Sequence, residues 1–279
     1  MTEYLRFEAD VANPAFVSAF DELPLWSAMA GLLLVHHVEL RRGMRVLDVG
    51  CGTGFPSIEL AERLGPGGTV VGIDPWTAAV DRARFKAKVR GVTNLDLRVG
   101  DAKALPFETG TFDLITSNLG LNNFADPPAA LAECRRVLAP TGRLALATNL
   151  HGNMREFYEV FESTLRELGR ADEIDALQRH VEHRATMESL TALLESAGFA
   201  VTRTARRSEL MRFCGGAALL RHWFIRIGFL PAWRDVVAKA DRPEVFARLE
   251  AELDRVATKR GSLDLTIPLA FVEAKATAR

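Results

Sequence analysis

Apolar positions along this chain follow two rhythms. Short β-branched runs, ended by glycine or an acidic residue, alternate over residues 43–150 with stretches whose apolar residues recur every three or four positions. The first rhythm predicts buried strands and the second helices. Val46, Leu47 and Val49, interrupted by Asp48, predict a first strand, and Thr69–Asp74, Asn94–Val99, Thr111–Asn118 and Arg143–Asn149 predict four more. Ile58, Leu60, Ala61 and Leu64 are spaced for a helix, with Pro56 in its first turn, where proline is tolerated. A second helix starts near Trp76 and a third spans Pro128–Leu138. Strand and helix in regular alternation predict a doubly wound α/β fold around a mostly parallel sheet.

The flanks are helical. Ahead of the first strand, Phe16, Phe20, Trp26, Met29, Leu32 and Leu33 recur at helical spacing, with a break at Pro24. Beyond Asn149, Phe157, Phe161 and Leu165 mark one helix, Ile174, Leu177 and Val181 another, and Thr186–Ala197 a third that stops at Gly198. Phe199–Thr204 alternates as a sixth strand, residues 215–259 read as helix, and a seventh strand lies within Leu263–Glu273. The expectation is seven strands, with a helical cap inserted between the last two. By segment it is an N-terminal helical stretch (1–42), a ligand-binding core (43–150) and the rest of the sheet with the cap (151–279). Proline is disfavoured in an interior strand, so Pro268 predicts a bulge or a strand that begins there.

The chemistry concentrates where the first strand ends. Gly50, Gly52 and Gly54 follow Asp48 at alternate positions, and a helix comes next. Its N-terminal amides, with their positive dipole character, face whatever lies over the loop. A dinucleotide loop is spaced G-x-G-x-x-G. Here the spacing is G-x-G-x-G, and Phe55 stands where the third dinucleotide glycine would be needed. Asp48 repels phosphate but can pair with an amino group, which points to a nucleoside carrying an amine. Asp74, at the end of the second strand, is placed to accept from both ribose hydroxyls. Beside it come Pro75 and Trp76, with Trp76 positioned to lie against a base.

At these residues the chain resembles the class I S-adenosylmethionine-dependent methyltransferases, whose first motif is this acidic strand end followed by G-x-G-x-G. The resemblance extends over residues 43–150 and implies a Rossmann-like methyltransferase fold with S-adenosyl-L-methionine as cofactor. It implies that Asp48, Gly50, Cys51, Gly52, Gly54, Asp74, Pro75, Trp76, Asp101, Ala102 and Asn118 hold that cofactor, Asp101 and Ala102 at the adenine. The loop S-N-L-G-L-N-N is similar to that of the ubiquinone and menaquinone C-methyltransferases and their relatives acting on small molecules. Asn122, Asn123, Trp26, Tyr158 and Trp223 are the candidates for the acceptor side, and His151, just after the fifth strand, is the candidate base. Methyl transfer from a sulfonium is an in-line displacement, so the protein mainly aligns the reactants and excludes water. The aromatic and aliphatic residues of the cap suit a small apolar or aromatic acceptor. Two other functions fit the same strand, loop and helix: an NAD(P)-dependent oxidoreductase, and a module that binds S-adenosylmethionine without catalysis.

Composition narrows the partners. A net charge of -1 over 279 residues leaves no basic excess for nucleic acid. The N-terminus is too acidic and polar for a signal peptide, and the longest apolar stretch, near Ala28–Val35, is too short to span a membrane. Cys51, Cys134 and Cys214 show no metal spacing and read as reduced thiols of a cytoplasmic protein without a metal. The oligomeric state is left open.

Overall fold

The computed structural model describes residues 3–22 and 25–277, with the side chains of Leu25 and Trp26 outside the described set. Two helices come first, α1 (Pro14–Asp21) and α2 (Leu25–His37). Then follow β1 (Arg45–Val49), α3 (Ser57–Leu64), β2 (Thr69–Asp74), α4 (Thr77–Val89), β3 (Leu95–Val99), β4 (Phe112–Asn118), α5 (Pro127–Val137) and β5 (Leu138–Asn149). The C-terminal part holds α6 (Arg155–Glu167), α7 (Ala171–Glu182), α8 (Met187–Ser196), β6 (Phe199–Phe213), α9 (Gly216–Arg221), α10 (Trp223–Gly228), α11 (Leu230–Val236), α12 (Arg242–Arg260) and β7 (Leu263–Ala276).

The seven strands form one sheet in the order β3-β2-β1-β4-β5-β7-β6. β1 pairs in parallel with β2 and β4, β2 with β3, and β4 with β5, while β7 runs antiparallel to β5. The order reverses between β1 and β4. Right-handed crossovers then place the helices before and after that point on opposite faces. β1 is central, and its Val46, Leu47, Asp48 and Val49 are all buried, which is why its sequence is a nearly unbroken apolar run. This is the doubly wound, mostly parallel seven-stranded sheet that the alternation predicts.

Three details differ from expectation. β5 begins at Leu138 and not at Arg143, because the Ala139–Gly142 turn is a register irregularity inside the strand, between the pairs Phe112↔Leu138 and Leu114↔Arg143. β6 runs on past Thr204 to Phe213; its middle, A-R-R-S-E, is exposed and carries no β-branched signal. Pro268 lies inside β7, but pairing with β5 starts one residue later, at Asn149↔Leu269, so that ladder asks for no donor from the proline. Its carbonyl accepts from Leu150 N at 2.9 Å.

By contacts the chain separates into two units: residues 1–10, 150–185 and 208–268 in one, and residues 11–149, 186–207 and 269–279 in the other. This division follows a different line from the three sequence segments. Residues 11–42 pack with the core, and the last strand is shared. We call the larger one, with most of the sheet, the sheet unit, and the other the helical unit. In the sheet unit, α2 packs on β4 and β5, α3 on β2, and α4 on β2 and β3. The helical unit has its own aromatic core of Phe157, Phe161, Trp233 and Phe246, each fully buried, with Phe157 stacked on Trp233 at 3.9 Å. Its N-terminal segment, with a 3-10 turn at Glu3–Arg6, is tied in by Arg234, which donates to the carbonyls of Leu5 and Phe7 at 2.5 and 3.2 Å.

Candidate functional site

The glycine loop leaves β1 at the switch point of the sheet, where open α/β sheets bind ligands. It is anchored from β2: Gly50 N and Cys51 N donate to Ile73 O at 2.8 and 3.2 Å, and Gly52 N donates to Asp74 Oδ2 at 2.9 Å. The other oxygen of Asp74 accepts from Trp76 N at 2.8 Å. One carboxylate therefore joins the loop to the start of α4. Burial pushes the Asp74 carboxyl upward, and the two amides hold it back down. A carboxylate offers about four acceptor sites, so two remain.

The glycines serve different ends. A side chain at Gly52 would enter open space, at φ +49°, whereas one at Gly54 would meet Ile58 Cδ1 at 2.8 Å and Ala83 Cβ at 3.0 Å. Gly52 is thus the residue that leaves room over the loop, and Gly54 permits the loop to lie against α3 and α4. Cys51 turns its side chain inward, into a cluster with Ile58, Val80, Ala83 and Leu97, where burial pushes its thiol upward. Only its backbone belongs to the loop.

Asp48 does not present a carboxylate to a ligand. It is 0% exposed, and accepts from Ser57 Oγ at 2.5 Å and Thr116 Oγ1 at 2.8 Å. Burial, first among the causes, lifts its carboxyl to about 6 against these hydrogen bonds. The residue ties β1 to β4 and to the first turn of α3. Direct pairing of Asp48 with a ligand amine, expected from the sequence, is therefore corrected: its oxygens are enclosed by neighbouring hydroxyls.

Asn118, at the end of β4, is buried and donates to Ser27 O of α2 at 2.9 Å. Its Oδ1 is buried with no partner among the described residues. Gly31 of α2 lies so close that a side chain there would collide with Phe55 and with the Asn118 amide. The ring that breaks the dinucleotide spacing is thus a packing surface for α2. The next residue, Leu119, has φ +61°, a left-handed conformation that a leucine adopts at a cost of about 1–3 kcal/mol and that recurs at binding sites.

A cavity of about 150 Å³ opens beside the loop, with Gly50, Pro75, Asp101, Ala102, Asn123 and Phe124 among its walls. Asp101 is exposed and its Oδ1 accepts from Lys103 N at 3.0 Å. Pro75 and Phe124 supply apolar surfaces. Phe124 was missed from the sequence, because a phenylalanine in a loop carries no spacing signal. Trp76 is not among these walls: its indole N–H donates to Val11 O at 2.7 Å and its ring meets Phe20 edge-on at 5.1 Å. Pro75 and Phe124 are the residues that wall this cavity in place of the indole. Asn123 lines this cavity, and Asn122 spends its amide on Asn149 at the end of β5.

The remaining candidates lie in the helical unit, apart from Trp26, whose side chain is outside the described residues. His151 is exposed, with its backbone N–H bound to Ala185 O at 2.9 Å. Tyr158 is buried, its hydroxyl accepting from Trp233 Nε1 at 3.1 Å and lying 3.2 Å from His180 Nε2. Burial, with Arg184 and His183 nearby, lowers His180 to about 4, which keeps its ring neutral beside the tyrosine hydroxyl. Tyr158 is therefore a core residue whose hydroxyl is occupied. Both His151 and Tyr158 border a second cavity, of about 230 Å³, between α6 and α7. Trp223 is elsewhere, edge-on to Phe7 at 5.1 Å and beside the Arg226 guanidinium. Arg203 is held by His37 O and Glu273, and Arg212 by Asp264 at 2.8 Å.

The comparisons with known proteins agree with this geometry. A family model described as a methyltransferase domain matches residues 40–198. The chain is 32% identical over 190 residues to a demethylmenaquinone methyltransferase of Lactococcus lactis, covering 65% of this chain and 73% of that protein. It is 42% identical over 113 residues to a nocamycin O-methyltransferase of Saccharothrix syringae, covering 40% of each. Among solved structures, a putative methyltransferase of Bacillus halodurans shares the fold, with a TM-score of 0.59 at 19% identity over 90% of this chain and 100% of that one.

Proposed function

The chain belongs to the class I S-adenosylmethionine-dependent methyltransferases and methylates a small molecule, and from that premise we propose which residues hold the cofactor and what the acceptor is. The residues present fit the cofactor on three counts. Asn118 Oδ1 is a buried acceptor without a partner among the described residues, Gly52 opens on free space, and Asp74 keeps acceptor capacity after anchoring the loop. Asp74 takes the ribose hydroxyls. Pro75 and Phe124 flank the adenine, with Asp101 accepting from its amino group and Ala102 N donating to the ring. Gly50, Gly52 and Asn118 hold the methionine end, Asn118 accepting from its ammonium. Asp48, Cys51 and Gly54 act behind the loop, keeping its shape.

When bound, S-adenosylmethionine supplies a methyl group already activated on a sulfonium. The work left to this chain is to bind, align and exclude water, worth several kcal/mol through lost rotational freedom alone. His151 receives the proton that an oxygen or ring-carbon acceptor must lose. The acceptor is a small, apolar or aromatic molecule bound by the helical unit. A quinone in its reduced, hydroquinone form is the leading case, since the relatives include demethylmenaquinone methyltransferases and a sulfonium methyl needs an electron-rich carbon to attack it, and the O-methyltransferase relative keeps an oxygen acceptor open. The enzyme works in a reducing compartment, the cytoplasm, as its three unbridged cysteines suggest. Among the described residues no helix is long and apolar enough to cross a membrane.

The observation that carries the cofactor assignment is the Asp74 carboxylate bridging Gly52 N and Trp76 N beside the open loop. Its test is calorimetric titration with S-adenosylmethionine, S-adenosylhomocysteine and NAD. Micromolar binding of the first two, and none of NAD, supports the assignment; the reverse order overturns it. Release of S-adenosylhomocysteine across a panel of quinones, phenols and heteroaromatic acceptors identifies the substrate.

A further inference from the structure

We propose that the cavity between α6 and α7 is a binding pocket for a neutral ring that carries a hydrogen-bond donor and acceptor side by side, and that Asn153 reads this pair. The inference rests on the reading of the chain as a small-molecule methyltransferase and deepens it by naming the acceptor class.

Asn153 is 2% exposed, and neither its Oδ1 nor its Nδ2 has a hydrogen-bond partner among the described residues. Buried amides in folded proteins are nearly always paired, and one with both ends unpaired calls for a missing partner. Asn153 also forms part of the wall of the 230 Å³ cavity. An amide presents one acceptor and one donor on the same edge. Its complement is a group with the two reversed, such as a lactam or an enolised hydroxy-carbonyl.

The other walls narrow the ligand. Leu177 and Val181 of α7 give apolar surface for a ring. Glu159, Glu162 and Glu182 stand around the opening against a single arginine, Arg155, which already pairs with Glu156 at 3.1 Å. Glu162 pairs in turn with Arg166 at 2.5 Å, and the two other carboxylates of the wall, Glu159 and Glu182, disfavour an anion. The volume lies below the roughly 300–1,000 Å³ of drug-sized sites, so one fused ring system fills it. The loop that brings Asn153 here is held in an unusual shape, with Gly152 at φ +86° and Met154 at φ +54°. Met154 N donates to Thr266 O at 2.7 Å, which fixes that turn from β7.

The test uses the full-length protein and three probes of similar size: 2-quinolone, a neutral lactam; N-methyl-2-quinolone, which lacks the donor; and 2-naphthoate, an anion. Binding is followed by ligand-observed NMR and calorimetry. The expected order is 2-quinolone first, with the other two at least tenfold weaker. Asn153→Leu abolishes the tenfold preference for the lactam. Gln178→Trp, an exposed substitution at the cavity wall, weakens all three probes, so a pocket role is tested even if Asn153→Leu fails to fold. Equal binding of the lactam and its N-methyl form overturns the proposal, as does an unchanged preference in Asn153→Leu or failure of the unmodified protein to bind 2-quinolone. S-adenosylmethionine is titrated into the same samples. Absence of any lactam preference in the unmodified protein with intact cofactor binding ends only the pocket assignment, whereas absent cofactor binding in the unmodified protein ends the underlying functional reading.

Discussion

Replacing Asp74 by alanine tests the cofactor site at its most connected point. The carboxylate accepts from Gly52 N at 2.9 Å and from Trp76 N at 2.8 Å, one bond on each oxygen. With two further acceptor sites it can take a ribose hydroxyl on each oxygen. A hydrogen bond to a charged group contributes about 1.5–3 kcal/mol. Since about 1.4 kcal/mol is a factor of ten, losing one such bond raises Kd for S-adenosylmethionine roughly 10- to 150-fold. Loss of the loop anchor adds to this by freeing Gly52. The two amides released lie where water can reach them, so the fold itself loses only about 1–2 kcal/mol. Asp74→Asn keeps an acceptor oxygen without the charge and falls between the two. Calorimetry gives Kd, and thermal melting shows that each variant is folded. If folded Asp74→Ala binds the cofactor within twofold of the unmodified protein, Asp74 is no ribose ligand and the placement of the nucleoside is wrong.

Gly52→Ala puts a methyl group into the open space over the loop at φ +49°. The backbone cost is about 1–2 kcal/mol, so the melting temperature moves by only a few degrees while cofactor affinity falls at least tenfold; unchanged affinity would show that no ligand approaches the loop. His151→Gln should lower kcat about 10²- to 10⁴-fold without changing S-adenosylmethionine affinity if the imidazole takes the acceptor proton, and an unaltered pH profile and kcat would remove it from that role. Two buried groups give opposite proton linkage. His180 is held near 4, whereas an unfolded histidine titrates at about 6.5, so its contribution is full above about pH 6.5 and is lost as the pH falls toward 4; allowing for its partial exposure this is about 1–2 kcal/mol. Asp48 is lifted to about 6 from an unfolded value of about 3.9, so its contribution is full below about pH 4 and is lost as the pH rises through 6, about 3 kcal/mol in all. Urea unfolding between pH 4.5 and 7 should therefore show stability rising with pH in Asp48→Asn, falling with pH in His180→Asn, and changing by an intermediate amount in the unmodified protein, where the two linkages oppose. Parallel curves for all three proteins would mean that neither group is shifted.

What the sequence determined by itself is the alternation. Val46–Val49, Thr69–Asp74 and Phe112–Asn118 are short apolar runs because the strands they form are covered on both faces, and that pattern survives without knowledge of any contact. The glycine spacing and Asp74 at its strand end were legible for the same reason: the chemistry depends on backbone positions close together in the chain. β6 was read short because an exposed strand of arginine and serine carries no apolar period. Direction and occupancy were decided only by tertiary structure. Asp48 sits in the same motif whether it faces a ligand or the interior, and it is Ser57 and Thr116, nine and 68 residues away, that enclose it. Trp76 looked free to lie on a base until Val11 and Phe20 engaged it from the N-terminal segment. Phe124 and Asn153 gave no signal, since a loop phenylalanine and an unpaired amide acquire meaning only from the walls around them. Periodicity records which face of an element is buried; what a polar side chain touches depends on partners that distant parts of the chain supply.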